Sequence, residues 1–238
     1  MIDWEKAGRE ILAQQTDQAE IDAAEIDALE AFLRPVILYN AVNRSSLDKQ
    51  WQAQASRLAD LFASPLGRSR DEYMEGLPRF SEQPYGCRGR FEIQLLVQTP
   101  TRKLDLVRML ALTGVTNYLE PKNVKDWQED SGKFRTPDAP YVTWVNDGSK
   151  NLNRSVQDVR NNLASDERGG TVFDGLALFI QKPNILKAQY LDLPGSQVGS
   201  GRAPSLNLWH GQPRLGAGFV DVADPEWGSV VAGRQIVT

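Results

Sequence analysis

Residues 191–229 read LDLPGSQVGSGRAPSLNLWHGQPRLGAGFVDVADPEWGS, and this stretch decides the fold. Short alternating runs at 189–193, 205–209, 217–222 and 229–237 have the period-two pattern of half-buried strands. Between them glycines recur at 195, 199, 201, 211, 216, 218 and 228, with Pro194, Pro204 and Pro213. Such residues punctuate chains at tight turns and close backbone approaches. The segment therefore reads as three or four short strands joined by turns.

Upstream, the pattern changes to alternating helices and strands. Residues 91–98 (FEIQLLVQ) and 140–146 (PYVTWVN) read as strands. Between them, Pro100-Thr101 opens a helix with Leu104, Val107, Met109 or Leu110, and Leu112 inward, and Gly114 ends it. Residues 120–139 are polar, a surface loop or hairpin. Ser155 with Asp158 and Thr171 with Asp174 are spaced as capping boxes, opening two further helices.

The first ninety residues are helical in pattern. Apolar residues at helical spacing from Ile11 to Leu33 predict one or two helices that end before Pro35. Residues 36–42 fit a short strand or a continuing helix. Ser45 with Asp48 starts another helix, which buries Trp51, Ala55, Leu58, Ala59 and Phe62 and stops at Pro65-Leu66-Gly67. Ser69 with Glu72 caps a short one. Residues 76–89 are loop-like and mark the boundary between a helical region, 1–88, and an α+β domain, 89–238. The expected fold is α+β: a helical N-terminal region packed on an α/β core, with a small Gly-rich antiparallel sheet at the C-terminus.

Composition limits the chemistry. Among 238 residues there is one cysteine, Cys87, and one histidine, His210, so neither an intrachain disulfide nor a Cys/His zinc site can form. Lys plus Arg (27) against Asp plus Glu (31) gives a net charge of −4, which argues against a dedicated nucleic-acid or membrane-surface binder. The basic residues between 68 and 108 are interleaved with acids, a mixed surface rather than a patch. No run approaches a membrane span and no secretion signal is visible, so the expected location is the cytoplasm. Residues 1–33 hold nine acids and two bases, a solvated helix face or a docking helix for a basic partner.

The candidate site lies in the Gly-rich segment. Gly195 to Gly201 fits an anion cradle with Arg202 as counter-charge, although it is neither a Walker loop nor a GxGxxG turn. Trp209, His210 and Arg214 add polar and aromatic groups, giving Gly195, Ser196, Arg202, Trp209, His210 and Arg214 as ligand-binding candidates. As an enzyme the chain would use His210 as base, Asp221 or Asp224 to orient it, and Ser196 or Ser205 as nucleophile. Asp221, Asp224 and Glu226 do not follow the EF-hand pattern, and neither a metal nor a cofactor is implied.

The motifs Pro140-Tyr141, Leu193-Pro194-Gly195-Ser196, Arg202-x-Pro204-x-Leu206, Trp209-x-Gly211-x-Pro213-x-Leu215-Gly216 and Gly228-Ser229 carry a resemblance. Residues 100–233 resemble an uncharacterised bacterial family, a domain of unknown function found mainly in actinobacteria. The resemblance implies a bacterial cytosolic protein and no activity. The leading expectation is a non-catalytic binding or protein-interaction module, its partner a protein or a small molecule, with a homo-oligomer compatible. The alternative is a hydrolase or transferase with a pocket formed by residues 194–228.

Overall fold

The computed structural model describes residues 23–82, 90–127 and 134–238. Cys87 and the helical pattern before Ala23 lie outside them. Helix α1, Ala23–Leu66, is continuous. It runs through Pro35, where the sequence pattern predicted an end. A proline's fixed φ is helical, so its ring removes one N–H and crowds the preceding turn without forcing the chain out of the helix. Ser45 lies within this helix, so no new helix is capped there. The expected stop at Gly67 is real. Gly67 has φ +74°, and Gly67 and Arg68 N–H donate back to the Ser64 and Ala63 carbonyls in a Schellman closure. Helix α2, Arg70–Glu75, follows from a complete Ser69/Glu72 capping box.

The chain divides into two compact units between Lys49 and Gln50, rather than at 88/89. The reason is the core. Trp51, Ala55, Leu58, Ala59 and Phe62 on α1, with Tyr73 and Met74 on α2, share one apolar cluster with Leu95, Leu96 and Leu178. The helical residues after 49 thus belong to the α+β unit.

Two sheets organise that unit. The first has order β1-β4-β11-β5, all antiparallel, from Ile93–Val97, Tyr141–Asn146, Val231–Gly233 and Glu167–Gly169. Every residue of β4 is buried, as expected of a central strand. Helix α3, Leu106–Leu112, starts later than Pro100-Thr101 suggested, because Thr101 and Leu104 close a turn on each other and Asp105 is the N-cap. Its phase then turns Val107 to solvent and Met109 and Leu110 inward. Helices α4 (Val156–Asn161), α5 (Val172–Gln181) and the short α6 (Ile185–Ala188) follow. Ser155 and Thr171 cap α4 and α5 as their spacing predicted.

The second sheet has order β10-β6-β8-β9-β2, from Trp227–Ser229, Tyr190–Asp192, Arg202–Trp209, Gln212–Phe219 and Thr116–Asn117. Its centre is the long β8–β9 hairpin, closed by His210 (φ +49°) and Gly211 (φ +76°). Two consecutive positive φ values make the mirror-image turn that matches strand twist. Pro204 faces Ala217 and Leu208 faces Pro213 across it. The antiparallel centre gains parallel edges, β10 on β6 and β2 on β9. Residues 227–233 then cross from this sheet into the first one, as β10 and β11. The polar 120–139 region contains a strand, β3 (Val124–Asp126), which pairs with β7 (Ser196–Val198). The fold class is α+β. Among the described residues, no helix is long and apolar enough to cross a membrane.

Candidate functional site

Leu191, Leu206 and Leu215 stand side by side across β6, β8 and β9 and are fully buried in the core. Side chains alternate along a strand, so their neighbours point to the opposite face. That face is polar. One row runs Ser229, Asp192, Ser205, Gly216. The next carries Trp227 beside Tyr190, and Asn207 beside Arg214 and Thr116. The Trp227 and Tyr190 rings meet edge to face at 5.2 Å.

A polar row on an open face would be unremarkable, but Ser229, Asp192 and Ser205 in this row, and Asn207 in the next, are buried. Asp192 is 8 % exposed, Asn207 3 %, Ser205 1 % and Ser229 0 %. Asn207 Oδ1 accepts from Arg214 Nε at 2.6 Å. Among the described residues the Ser229 hydroxyl has no hydrogen-bond partner. Among the described residues the Asp192 carboxylate also makes neither a hydrogen bond nor an ion pair. Burial, and then the charge of Asp224, push it up to about 7. Asp224 belongs to the segment that leaves β9 at the Phe219 end and enters β10 beside Tyr190. That segment is tied down by Gln157 N–H to Val220 O, Asn153 N–H to Asp224 O and Tyr190 N–H to Glu226 O. Buried polar groups are almost always paired, and a buried unpaired carboxylate is costly. Asp192 and Ser229 are adjacent in register, so the row holds two polar side chains whose hydrogen-bonding capacity the described residues leave unused.

The residues singled out from the sequence separate into different places. Gly195 packs on backbone: a Cβ there would sit 2.2 Å from the Gly169 carbonyl oxygen. The 195–201 loop is not an anion cradle at its start. Gly195 and Ser196 N–H donate to the Gly170 and Leu193 carbonyls. The Pro194 and Ser196 carbonyls accept from Arg160 Nε and Nη2 at 2.9 and 2.8 Å. Burial lowers that guanidinium to about 10. Ser196 Oγ is buried and accepts from Val172 N–H at 3.0 Å, fixing the start of α5. Its oxygen is thus committed to structure. Arg202 opens β8, its guanidinium 4.9 Å from the Phe219 ring. His210 is at the other end of β8, about 25 Å away at strand rise. Asp221 is exposed in the segment after β9. The trio Ser196, His210 and Asp221 therefore does not assemble, and residues 194–228 do not converge on one pocket.

Trp209 and Arg214 do come together. They share the polar face, with the guanidinium 4.5 Å from the indole centre and 5.6 Å from the Tyr118 ring. The His210 ring stands edge to face with Trp209 at 5.0 Å. Asp192, Ser229 and Tyr118 were missed. In LDL the alternation puts Asp192 opposite two buried leucines, which reads as a solvent-facing strand residue. Only the long-range pairing with β8 and β10 reveals the buried row.

Other charged groups are paired, although Arg168 Nε is buried without a hydrogen-bond partner among the described residues. Arg168 and Asp174 are both fully buried and paired at 2.5 Å. Tyr141 OH donates to Asp174 at 2.8 Å and Thr171 N–H at 2.7 Å. The arginine and these donors hold Asp174 below its usual range against the cost of burial. This network joins α5 to the first sheet. A concavity of about 320 Å³ beside β11 is lined by Arg90, Lys150 and Arg154, but each cation has its own carboxylate: Asp166 and Glu167, Glu92, and Asp158. A groove of about 350 Å³ between Leu61, Leu112 and Phe179 is mainly apolar. No cluster of three or more metal-ligating side chains occurs among the described residues.

No protein-family model, curated protein or solved structure matches the chain.

Proposed function

We propose that this chain is a non-catalytic binding module, cytosolic as its composition suggests, whose ligand lies on the polar face of the second sheet. The observation that carries this is the pair Asp192 and Ser229: adjacent in register, buried, and with side chains that have no hydrogen-bond partner among the described residues. A carboxylate and a hydroxyl in that state are complementary to a ligand that donates hydrogen bonds, a polyol hydroxyl or a protonated amine. Ser205 and Asn207 extend the polar floor, and Tyr190 and Trp227 supply the flat apolar side that sugar rings and alkyl amines pack against. The bacterial family that residues 100–233 resemble adds no activity to this reading.

A thermal-shift screen of polyols, amino sugars and diamines at pH 8 tests it. A compound of this class should raise the melting temperature of the wild type and not that of Asp192→Asn. If every compound that stabilises the wild type stabilises the variant equally, Asp192 is not part of the site. Native mass spectrometry of gently purified protein then gives the ligand's mass.

A further inference from the structure

The guanidinium of Arg214 is held on three sides. Asn207 Oδ1, itself on a 3 % exposed residue, accepts from Nε at 2.6 Å. The Trp209 ring lies 4.5 Å from Cζ and the Tyr118 ring 5.6 Å. A side chain this constrained has given up much of its rotamer freedom. Yet no carboxylate among the described residues pairs with it, whereas Arg70, Arg90 and Arg154 all have one. The two flanking rings are also left open to solvent, Trp209 by 53 % and Tyr118 by 63 %. Packing for stability would cover those rings. Next to them, Gly216 and Gly218 have open space where side chains would stand, so the face is unobstructed along β9.

With Nε occupied and both ring faces engaged, what remains is the Nη edge. That edge donates two parallel hydrogen bonds in the fork geometry that matches a two-oxygen anion. We propose that Arg214 is an anion-binding point that takes a carboxylate or phosphate group of a small molecule, with Trp209 and Tyr118 packing against the adjoining part of that molecule. Arg202 lacks this preparation: it faces Phe219 at 4.9 Å with no side chain orienting it. The proposal goes beyond the Asp192 reading. Arg214 is on β9 and Asp192 on β6, with β8 between them.

The experiment is a titration of the whole protein with sodium phosphate and, separately, sodium acetate, at constant ionic strength balanced with chloride. Tryptophan fluorescence reports the anion beside Trp209, and calorimetry gives the constant independently. The expected result is a saturable response, at least about tenfold weaker in Arg214→Gln, where the charged fork is lost. Arg202→Gln, at an arginine of the same sheet that faces a single ring, should respond like the wild type, so a loss confined to Arg214→Gln is read independently of the Asp192 reading. Saturation by phosphate alone assigns a phosphate-bearing ligand, and by acetate alone a carboxylate-bearing one. An absent or non-saturating response, or one unchanged in Arg214→Gln, overturns the proposal. Urea midpoints of all variants establish that each is folded.

Discussion

Replacing Asp192 with Asn should stabilise this protein, and should do so only when the carboxylate is charged. A free aspartate titrates near 3.8, and Asp192 in the fold near 7. The difference is about three units, each worth about 1.4 kcal/mol. The folded state holds this proton more tightly than the unfolded chain does. Between pH 4 and 7 the native protein therefore binds more protons, and stability falls as pH rises. Below about pH 4 the carboxyl is neutral in both states and costs nothing. Above about pH 7 the full penalty applies, on the order of 4 kcal/mol. At pH 5 only the interval from 3.8 to 5 has been crossed, so the penalty is about 1–2 kcal/mol. Asparagine is uncharged throughout. Urea unfolding of wild type and Asp192→Asn at pH 5 and pH 8 should show a gain for the variant that is about 2–3 kcal/mol larger at pH 8. The comparison cancels every other titrating group common to both proteins. An equal gain at both pH values would refute the reasoning, because the gain would then not come from the carboxylate's charge, and a loss at both would mean that the carboxylate has a partner that holds it charged.

Asp174→Ala leaves Arg168 fully buried without its carboxylate and should cost about 3–5 kcal/mol in urea unfolding. Gly195→Ala places a methyl 2.2 Å from the Gly169 carbonyl oxygen, where only backbone can yield, and should cost about 3 kcal/mol or more. Ser69→Ala removes the side-chain acceptor at the start of α2 and should cost about 1 kcal/mol. Trp209→Ala, by contrast, should change stability by less than about 0.5 kcal/mol, since the ring is largely outside the core. A large loss there would mean that the ring is part of the packing rather than a recognition surface.

Local rules in the sequence were reliable where the deciding contact is local. The Ser69, Ser155 and Thr171 caps, the Gly67 closure and the buried face from Trp51 to Phe62 all depend on residues within one or two turns. The same rules misplaced the helix end at Pro35 and a cap at Ser45, because a cap is used only where the helix stops, and propagation through one proline was the better outcome. The partition at 88/89 rests on a different kind of signal. A Pro- and Gly-rich stretch signals a turn, not whether the helices before it share a core with the strands after it. Of the candidate site, Trp209 and Arg214 were legible as unusual residues, but their juxtaposition with Tyr118 requires the parallel pairing of β2 on β9. Asp192 was hidden because its significance lies in the absence of a partner, and that depends on three strands distant in sequence.

The two prolines of the hairpin lock its alignment. Pro204 and Pro213 lie at positions from which no N–H is needed between β8 and β9, given the two-residue turn at His210-Gly211. Sliding one strand past the other by a single residue would bring a nitrogen with no hydrogen into the ladder. The same slip would exchange the two faces of the strand that moved, sending Leu206 outward and Asn207 into the core if β8 slides, or Leu215 outward and Arg214 into the core if β9 does. Misalignment is thus penalised twice, once by backbone chemistry and once by burial. The residues proposed to meet a ligand are held to one side of the sheet by two residues that need never touch it.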